Sequence, residues 1–415
     1  LLGGQYFVNY DYFENKPYDA NEADMKKQKG DKWNYFYSLK SNVGEAFSQL
    51  EFTFKKAELF IAGRYHYTDV QREGKYNYPL YSDSYGKGAM QVQNGVSTKA
   101  GITYALTGRH LLQLNVGYFN TPQSLRNIYP NVRNSNRVLP NLKNELAYTA
   151  DASYIFRMPY LKGRLTGFFT EIENTAETNF FYTETALTDE IDKDFVAQTI
   201  DGIKKRHFGL ELGAEAQLHP TVKLTAAAAI GQYTYINNPS LYISAGDVNK
   251  AIDEVKLKNY HVPSGPQQAY SLGLEYRPKY WWVGVTANFL AQNYVSLSAL
   301  NRTSQFFIDP ATKAPYSNID LDKARQLLKQ EHLDDVFLVN LVGGKSWRVK
   351  KTYINLMASV NNLFNTKFLS GGFEQSRTAN YGRMLQDNAQ GVPSFGNRYF
   401  VGYGRTYMLN LAVSL

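Results

Sequence analysis

Apolar and polar residues alternate with a period of two along most of this chain, most cleanly from His207 to Leu218. Phe208, Leu210, Leu212, Ala214, Ala216 and Leu218 share one parity, and His207, Gly209, Glu211, Gly213, Glu215 and Gln217 the other. Successive side chains of a strand point to opposite faces, so this segment reads as a strand with one apolar face. His219-Pro220-Thr221-Val222 breaks the pattern, which resumes at Leu224, Ala226, Ala228 and Ile230. The two runs predict a hairpin with a short turn.

The same unit recurs around Lys55-Lys56, Gly108-Arg109, Met158-Pro159, Arg277-Pro278-Lys279 and a Gly343–Lys351 connection. The chain opens on Tyr6, Val8, Tyr10 and Tyr12, and closes on Tyr407, Leu409, Leu411, Val413 and Leu415. Fourteen strands are predicted, one of them (Lys32–Lys55) long and kinked near Asn42–Gly44. Between the hairpins lie polar stretches over 12–32, 69–95, 120–144, 173–206, 236–267, 292–334 and 362–395. Two carry helical spacing: Asp247–Lys258, through Val248, Ala251, Ile252 and Val255, and Asp320–Gln330, through Leu321, Ala324, Leu327 and Leu328.

Loops this long are uncommon in compact domains. Their strict alternation with tight turns predicts an all-β fold, an antiparallel transmembrane β-barrel with short periplasmic turns and long extracellular loops. A soluble sandwich or propeller is the rival, but no blade-length repeat is present. Tyr154, Tyr270, Tyr276, Trp281, Trp282, Tyr353 and Tyr407 fall near strand ends, where aromatic girdles sit. Phe208, Leu210, Leu212, Ala214, Leu218, Tyr407, Leu409, Leu411 and Val413 are the expected lipid-facing residues.

Composition narrows the chemistry. The 415 residues include 33 Tyr and 24 Phe, too aromatic a load for a disordered chain. No apolar run approaches the length of a membrane-spanning helix. The absence of Cys removes disulfides and thiolate metal sites together. Six scattered His show no metal-ligand spacing, so no metal site and no cofactor is expected. Gly343-Gly344-Lys345-Ser346 has the end of a phosphate loop but Val339 where its first glycine belongs, so it is expected to end a strand at a periplasmic turn. No nucleophile elbow is present, and no enzyme is expected. The acidic loop residues Glu184, Asp189, Glu190, Asp192 and Asp194 have Phe195 where a calcium loop needs glycine, and read as a solvated face.

A net charge of +8 raises nucleic acid as a partner, but basic and aromatic residues do not interleave in one groove. Lys204-Lys205-Arg206-His207, at the expected outer mouth, is read as facing an anionic leaflet. Loop residues suited to recognition are Tyr76, Tyr78, Tyr81, Tyr85, Arg126, Arg133, Phe306, Phe307, Arg377, Tyr381 and Arg383. The rival reading is that these rings pack loop against loop.

Some segments carry a more specific likeness. Ser359-Val360-Asn361-Asn362-Leu363-Phe364-Asn365, Gly404-Arg405-Thr406-Tyr407 and Asn141-Leu142-Lys143-Asn144-Glu145 resemble, in order and spacing, segments of TonB-dependent outer-membrane receptors. Gly343-Gly344-Lys345-Ser346-Trp347 and Gly371-Gly372-Phe373-Glu374 resemble the Bacteroidetes type. The resemblance covers the whole chain and is strongest from Leu338 to Leu415. It implies a 22-stranded barrel with a plugged lumen. On that footing residues 1–415 are the C-terminal portion of the barrel, with the plug domain and first strands outside this sequence. Leu415 departs from the aromatic residue that usually ends the family. The resemblance implies TonB-dependent import of a scarce nutrient (iron chelate, haem, glycan or peptide) across a Gram-negative outer membrane. Its implied partners are outer-membrane lipid, TonB-ExbB-ExbD acting through an N-terminal segment, and a surface lipoprotein. A passive channel or structural barrel without a plug is the alternative.

Overall fold

The structure is a computed structural model that describes residues 19–22, 29–32, 35–183, 187, 191, 195–377 and 380–414. Its strands are β1 (Tyr37–Thr53), β2 (Ala57–Gly74), β3 (Gln91–Thr107), β4 (His110–Thr121), β5 (Glu145–Arg157), β6 (Leu161–Tyr182), β7 (Phe195–His219) and β8 (Val222–Tyr235). They continue with β9 (Ser240–Ala245), β10 (Val248–Glu254), β11 (Gln268–Tyr276), β12 (Trp281–Ala291), β13 (Val336–Val349), β14 (Thr352–Asn361), β15 (Leu369–Phe373), β16 (Arg398–Val401) and β17 (Thr406–Ser414).

One continuous antiparallel wall runs β1 to β8, then β11 to β14, then β17, each strand beside its neighbour in the chain. These are thirteen of the fourteen expected strands; the remaining one, at Tyr6–Tyr12, lies outside the described residues. Among the described residues, β1 and β17 are paired on one side only. The expected kink is not there: β1 starts at Tyr37 and pairs with β2 in unbroken register from Tyr37↔Gly74 to Thr53↔Glu58. The expected Gly343–Lys351 connection is strand to Val349, and only Lys350-Lys351 turn the chain. Gly343 and Gly344 lie inside β13, opposite Ala358 and Met357, rather than at a turn.

Register fixes the two faces of the wall. Leu212 stands opposite Leu165 and Ala228, and Ala228 opposite Tyr270. These apolar residues share the outer face. Phe208, Leu210, Leu212, Leu218, Tyr407, Leu409, Leu411 and Val413 are all exposed there, while Ala214 is half-buried. The inner face carries Glu211 opposite Thr166, and Asp151 beside Asn115 and Arg164. A water-soluble sheet would cover its apolar face with protein; along Phe208–Leu218 this wall leaves that face bare and turns its charges inward. Two of the expected girdle residues, Trp282 and Tyr353, fall on the inner face, because they are paired with Gly344 and Arg348 in the opposite parity.

Buried apolar residues collect at the long-loop end instead. The largest cluster joins Val196, Ile200 and Ile203 of β7 to Leu241 and Ile243 of β9, with Val255, Leu257, Val262 and Leu300. The expected helix over 247–258 is the strand β10, which pairs back on β9. The turn is Gly246-Asp247, with Gly246 at φ +53°, the left-handed geometry that two-residue hairpin loops require. Helical spacing of four apolar residues did not outweigh that turn. A one-turn helix, α1, spans Leu125–Ile128. The second expected helix is present at Leu321–Leu327 (α2), with the Asp320 carboxylate accepting the Asp322 and Lys323 amides.

Candidate functional site

Long loops between strands need their own anchoring, because backbone groups away from a ladder must find other partners. Arg72, at the outer end of β2 and 1% exposed, supplies much of it. Its guanidinium donates to the carbonyls of Val132 (2.7 Å), Arg133 (3.0 Å) and Ser84 (3.1 Å) and to Asn136 Oδ1 (2.6 Å). It thereby ties 84 and 132–136 to the wall. Arg302 plays the same part elsewhere, donating to Glu374 Oε1 (2.8 Å) and to the Leu328 carbonyl (3.0 Å).

These anchors leave a cleft of about 670 Å³ between the outer reaches of β6 and β7 and the segments 296–299 and 372–377. Phe180, Phe181, Leu257, Phe373 and Phe400 form its apolar lining. Gln198 also lines it, 4% exposed, and its Oε1 has no hydrogen-bond partner among the described residues. Burying an acceptor without a partner is costly, which sets Gln198 apart among the residues lining the cleft. Arg377 stands at the cleft with its guanidinium over the rings of Phe395 (4.8 Å) and Tyr182 (5.6 Å). Ser298 and Ser376 bond to one another at 2.7 Å. An apolar enclosure with a few placed polar groups is the usual make-up of a small-molecule site.

Of the residues expected to recognise cargo, only Arg377 reaches this cleft. Tyr76, Tyr81, Phe306 and Tyr381 are buried. Phe306, Phe307 and Tyr381 pack on one another, with centroids 5.1–6.1 Å apart, against Ala324 of α2. Tyr78 stacks on Tyr81 at 5.4 Å. In these the loop-packing alternative prevails. Tyr85, Arg126, Arg133 and Arg383 are exposed. Arg126 donates to the Thr178 carbonyl (3.0 Å), Arg133 lies over Tyr35 (5.0 Å), and Arg383 faces Asp387 (3.6 Å). Gln198 was missed because an amide in a strand carries no sequence signal of its own. The acidic residues 184, 189, 190, 192 and 194 lie outside the described residues. No cluster of three or more metal-ligating side chains occurs among the described residues.

The Lys204–Arg206 run differs from the expectation. Lys204 pairs with Glu173 (2.7 Å), Lys205 with Glu177 (2.6 Å) and Arg206 with Glu171 (2.9 Å), all on β6. The run is neutralised across the strand pair rather than offered to a leaflet, because antiparallel register sets the three acids beside it.

Comparison with known proteins agrees with the bare outer face. The family model described as TonB dependent receptor-like, beta-barrel, matches residues 1–363, and the chain belongs to that family. The wall is therefore that of a Gram-negative outer-membrane β-barrel. The match ends at Leu363, so most of the segment with the strongest resemblance lies beyond it. Similar solved structures include the ferric citrate transporter FecA in its unliganded form, with 13% identity and a TM-score of 0.58 over 93% of this chain and 47% of that one. The copper transporter OprC gives 16%, 0.56, 90% and 48%. The ferric-catecholate import receptor Fiu from E. coli K12 gives 17%, 0.54, 91% and 45%. The chain thus spans less than half the length of each, and at these identities the likeness is one of fold. No curated protein sequence matches the chain.

Proposed function

We propose that this chain is the wall and loop cap of a transporter that imports a scarce organic nutrient, driven through TonB, ExbB and ExbD. One observation carries the reading: a wall that is apolar outside and charged inside bears at one end a loop-lined cleft with an unpartnered buried acceptor, Gln198. The outer face from Phe208 to Leu218 and from Tyr407 to Val413 meets lipid in this reading. The unpaired sides of β1 and β17 are closed by further strands, since unpaired backbone groups in hydrocarbon cost several kcal/mol each. A plug domain fills the lumen and carries the segment that TonB pulls.

The cleft suits a compact cargo with apolar rings and N–H or O–H donors. Metal chelates, which the names of similar structures report for those proteins, are one such class; haem, glycans and peptides are others. Exposed rings such as Tyr85 and, at the start of β7, Phe195 are the surface a lipoprotein lid of the Bacteroidetes kind would cover. The test is uptake by cells producing the full-length protein, with and without TonB. Saturable uptake that disappears without TonB supports active import. Uptake that persists unchanged makes the barrel a passive channel.

A further inference from the structure

The six short turns of the wall have an unusual charge. They comprise residues 54–56, 108–109, 158–160, 220–221, 277–280 and 350–351. Lys55, Lys56, Arg109, Arg277, Lys279, Lys350 and Lys351 fall among these few residues, and no Asp or Glu does. The chain as a whole carries 45 basic and 37 acidic residues, so the one-sided charge belongs to this end. All seven basic residues are exposed. Only Arg277 has an acidic partner, Glu275 at 3.0 Å; the others have none within ion-pair distance among the described residues.

The turns lie just beyond a second feature. Phe52, Tyr104, Tyr154, Tyr276, Trp281 and Trp347 stand on the outer face within a few residues of a turn, each 38–43% exposed. Each lies one to four residues from its turn, which sets them close to one level along the wall. Amphipathic rings settle at the boundary between hydrocarbon and headgroups. A cation one step further out meets the phosphates.

We infer that the short-turn rim is a binding surface for the anionic headgroups of the periplasmic leaflet, which the unpaired lysines hold electrostatically and which fixes the depth of the barrel. A folded protein partner would call for a patch. The basic residues instead stand in four of the six turns, from the one after β1 to the one after β13, with none at 158–160 or 220–221, so they form no single compact patch. Attraction between basic groups and an anionic leaflet acts within a Debye length, so the surface has to lie where the aromatic belt puts it.

The test uses the full-length protein in phosphatidylcholine vesicles containing about 20% phosphatidylglycerol, with either lipid spin-labelled. Motionally restricted phosphatidylglycerol is expected to exceed phosphatidylcholine by about threefold at low salt, falling toward parity near 1 M salt. The variant K55Q/K56Q/K279Q/K350Q/K351Q loses the enrichment, and the same five positions changed to Arg keep it. Neutralising Lys313 and Lys323, in a long loop, leaves it unchanged. Heat-modified gel mobility verifies that each variant folds, and the salt series on the unaltered protein needs no variant. Equal restriction of both lipids overturns the inference, as does enrichment that survives in the Gln variant. So does an acidic protein that binds the rim when no lipid is enriched.

Discussion

Arg302 and Glu374 are 72 residues apart in the chain, yet form a two-pronged ion pair in which the Arg302 side chain is 2% exposed and that of Glu374 11%. The pair joins the loop after β12 to the loop after β15. Tyr260 lies under the guanidinium at 5.2 Å, and the Ser298 amide donates to Glu374 Oε2 at 3.0 Å. Removing one partner would strand a buried charge. Glu374→Gln is therefore expected to destabilise the loop cap by about 3–5 kcal/mol while the wall stays folded. Hydrogen exchange over 296–304 should quicken strongly, with exchange in β11 and β12 unchanged. The double variant Arg302→Met/Glu374→Leu should recover most of the loss, because no charge is left unpaired.

A second staple reports on pH. The Asp247 carboxylate, at the β9–β10 turn, accepts from the Ser82 amide (3.0 Å) and hydroxyl (2.9 Å) and from Arg137 (2.9 Å). The Ser82 amide bond, foremost among these, holds the carboxyl below its ordinary value of 3.8. A depressed value favours the folded loop above the unfolded value, and the advantage is lost as pH falls through the folded one. Protection of the amides over 80–85 should be flat from about pH 7 to pH 5 and fall only below about pH 4. Asp247→Asn should show reduced protection over the same range.

The wall was legible in the sequence and the cap was not, for a physical reason. Period-two alternation such as that of Phe208–Leu218 records a requirement on every second residue, and thirteen strands follow from it. In the cap, neighbours far apart in sequence decide the outcome. The helix expected at Asp247–Lys258 became β10 because β9, itself paired to the first residues of β7, offered a sheet edge and Gly246 supplied the turn. Strands β6 and β7 also run well into the stretch expected as loop over 173–206, where their polar side chains pair across the ladder. The cleft residues show the same limit: Arg377 was singled out for its type, while Gln198 acquires meaning only from what surrounds it.

Among the loop aromatics, position separates two roles that composition merges. Tyr381 is buried against Phe306 and Phe307, and its hydroxyl accepts from the Asp320 amide at 3.2 Å. Tyr381→Ala should cost about 3–5 kcal/mol locally and expose α2 and α3 (Tyr381–Gln390) to protease. Tyr85 is 56% exposed, and Tyr85→Ala should leave proteolysis unchanged. Limited trypsin digestion of the two variants compares them directly.

Adjacent residues on β7 give the sharpest check of which face meets hydrocarbon. Leu212 faces outward, 40% exposed, between Leu165 and Ala228; Glu211 faces inward, opposite Thr166. A charge at mid-depth on a lipid-exposed face costs about 2–4 kcal/mol, whereas an inner-face charge meets water or other polar groups. Leu212→Arg should therefore lower the folding free energy into lipid vesicles by about that amount, and Glu211→Arg by less than about 1 kcal/mol. Reversible folding into vesicles, followed by tryptophan fluorescence, measures both. Equal costs at the two positions would mean that protein, not hydrocarbon, covers the outer face, and the membrane assignment of the wall would fall with it.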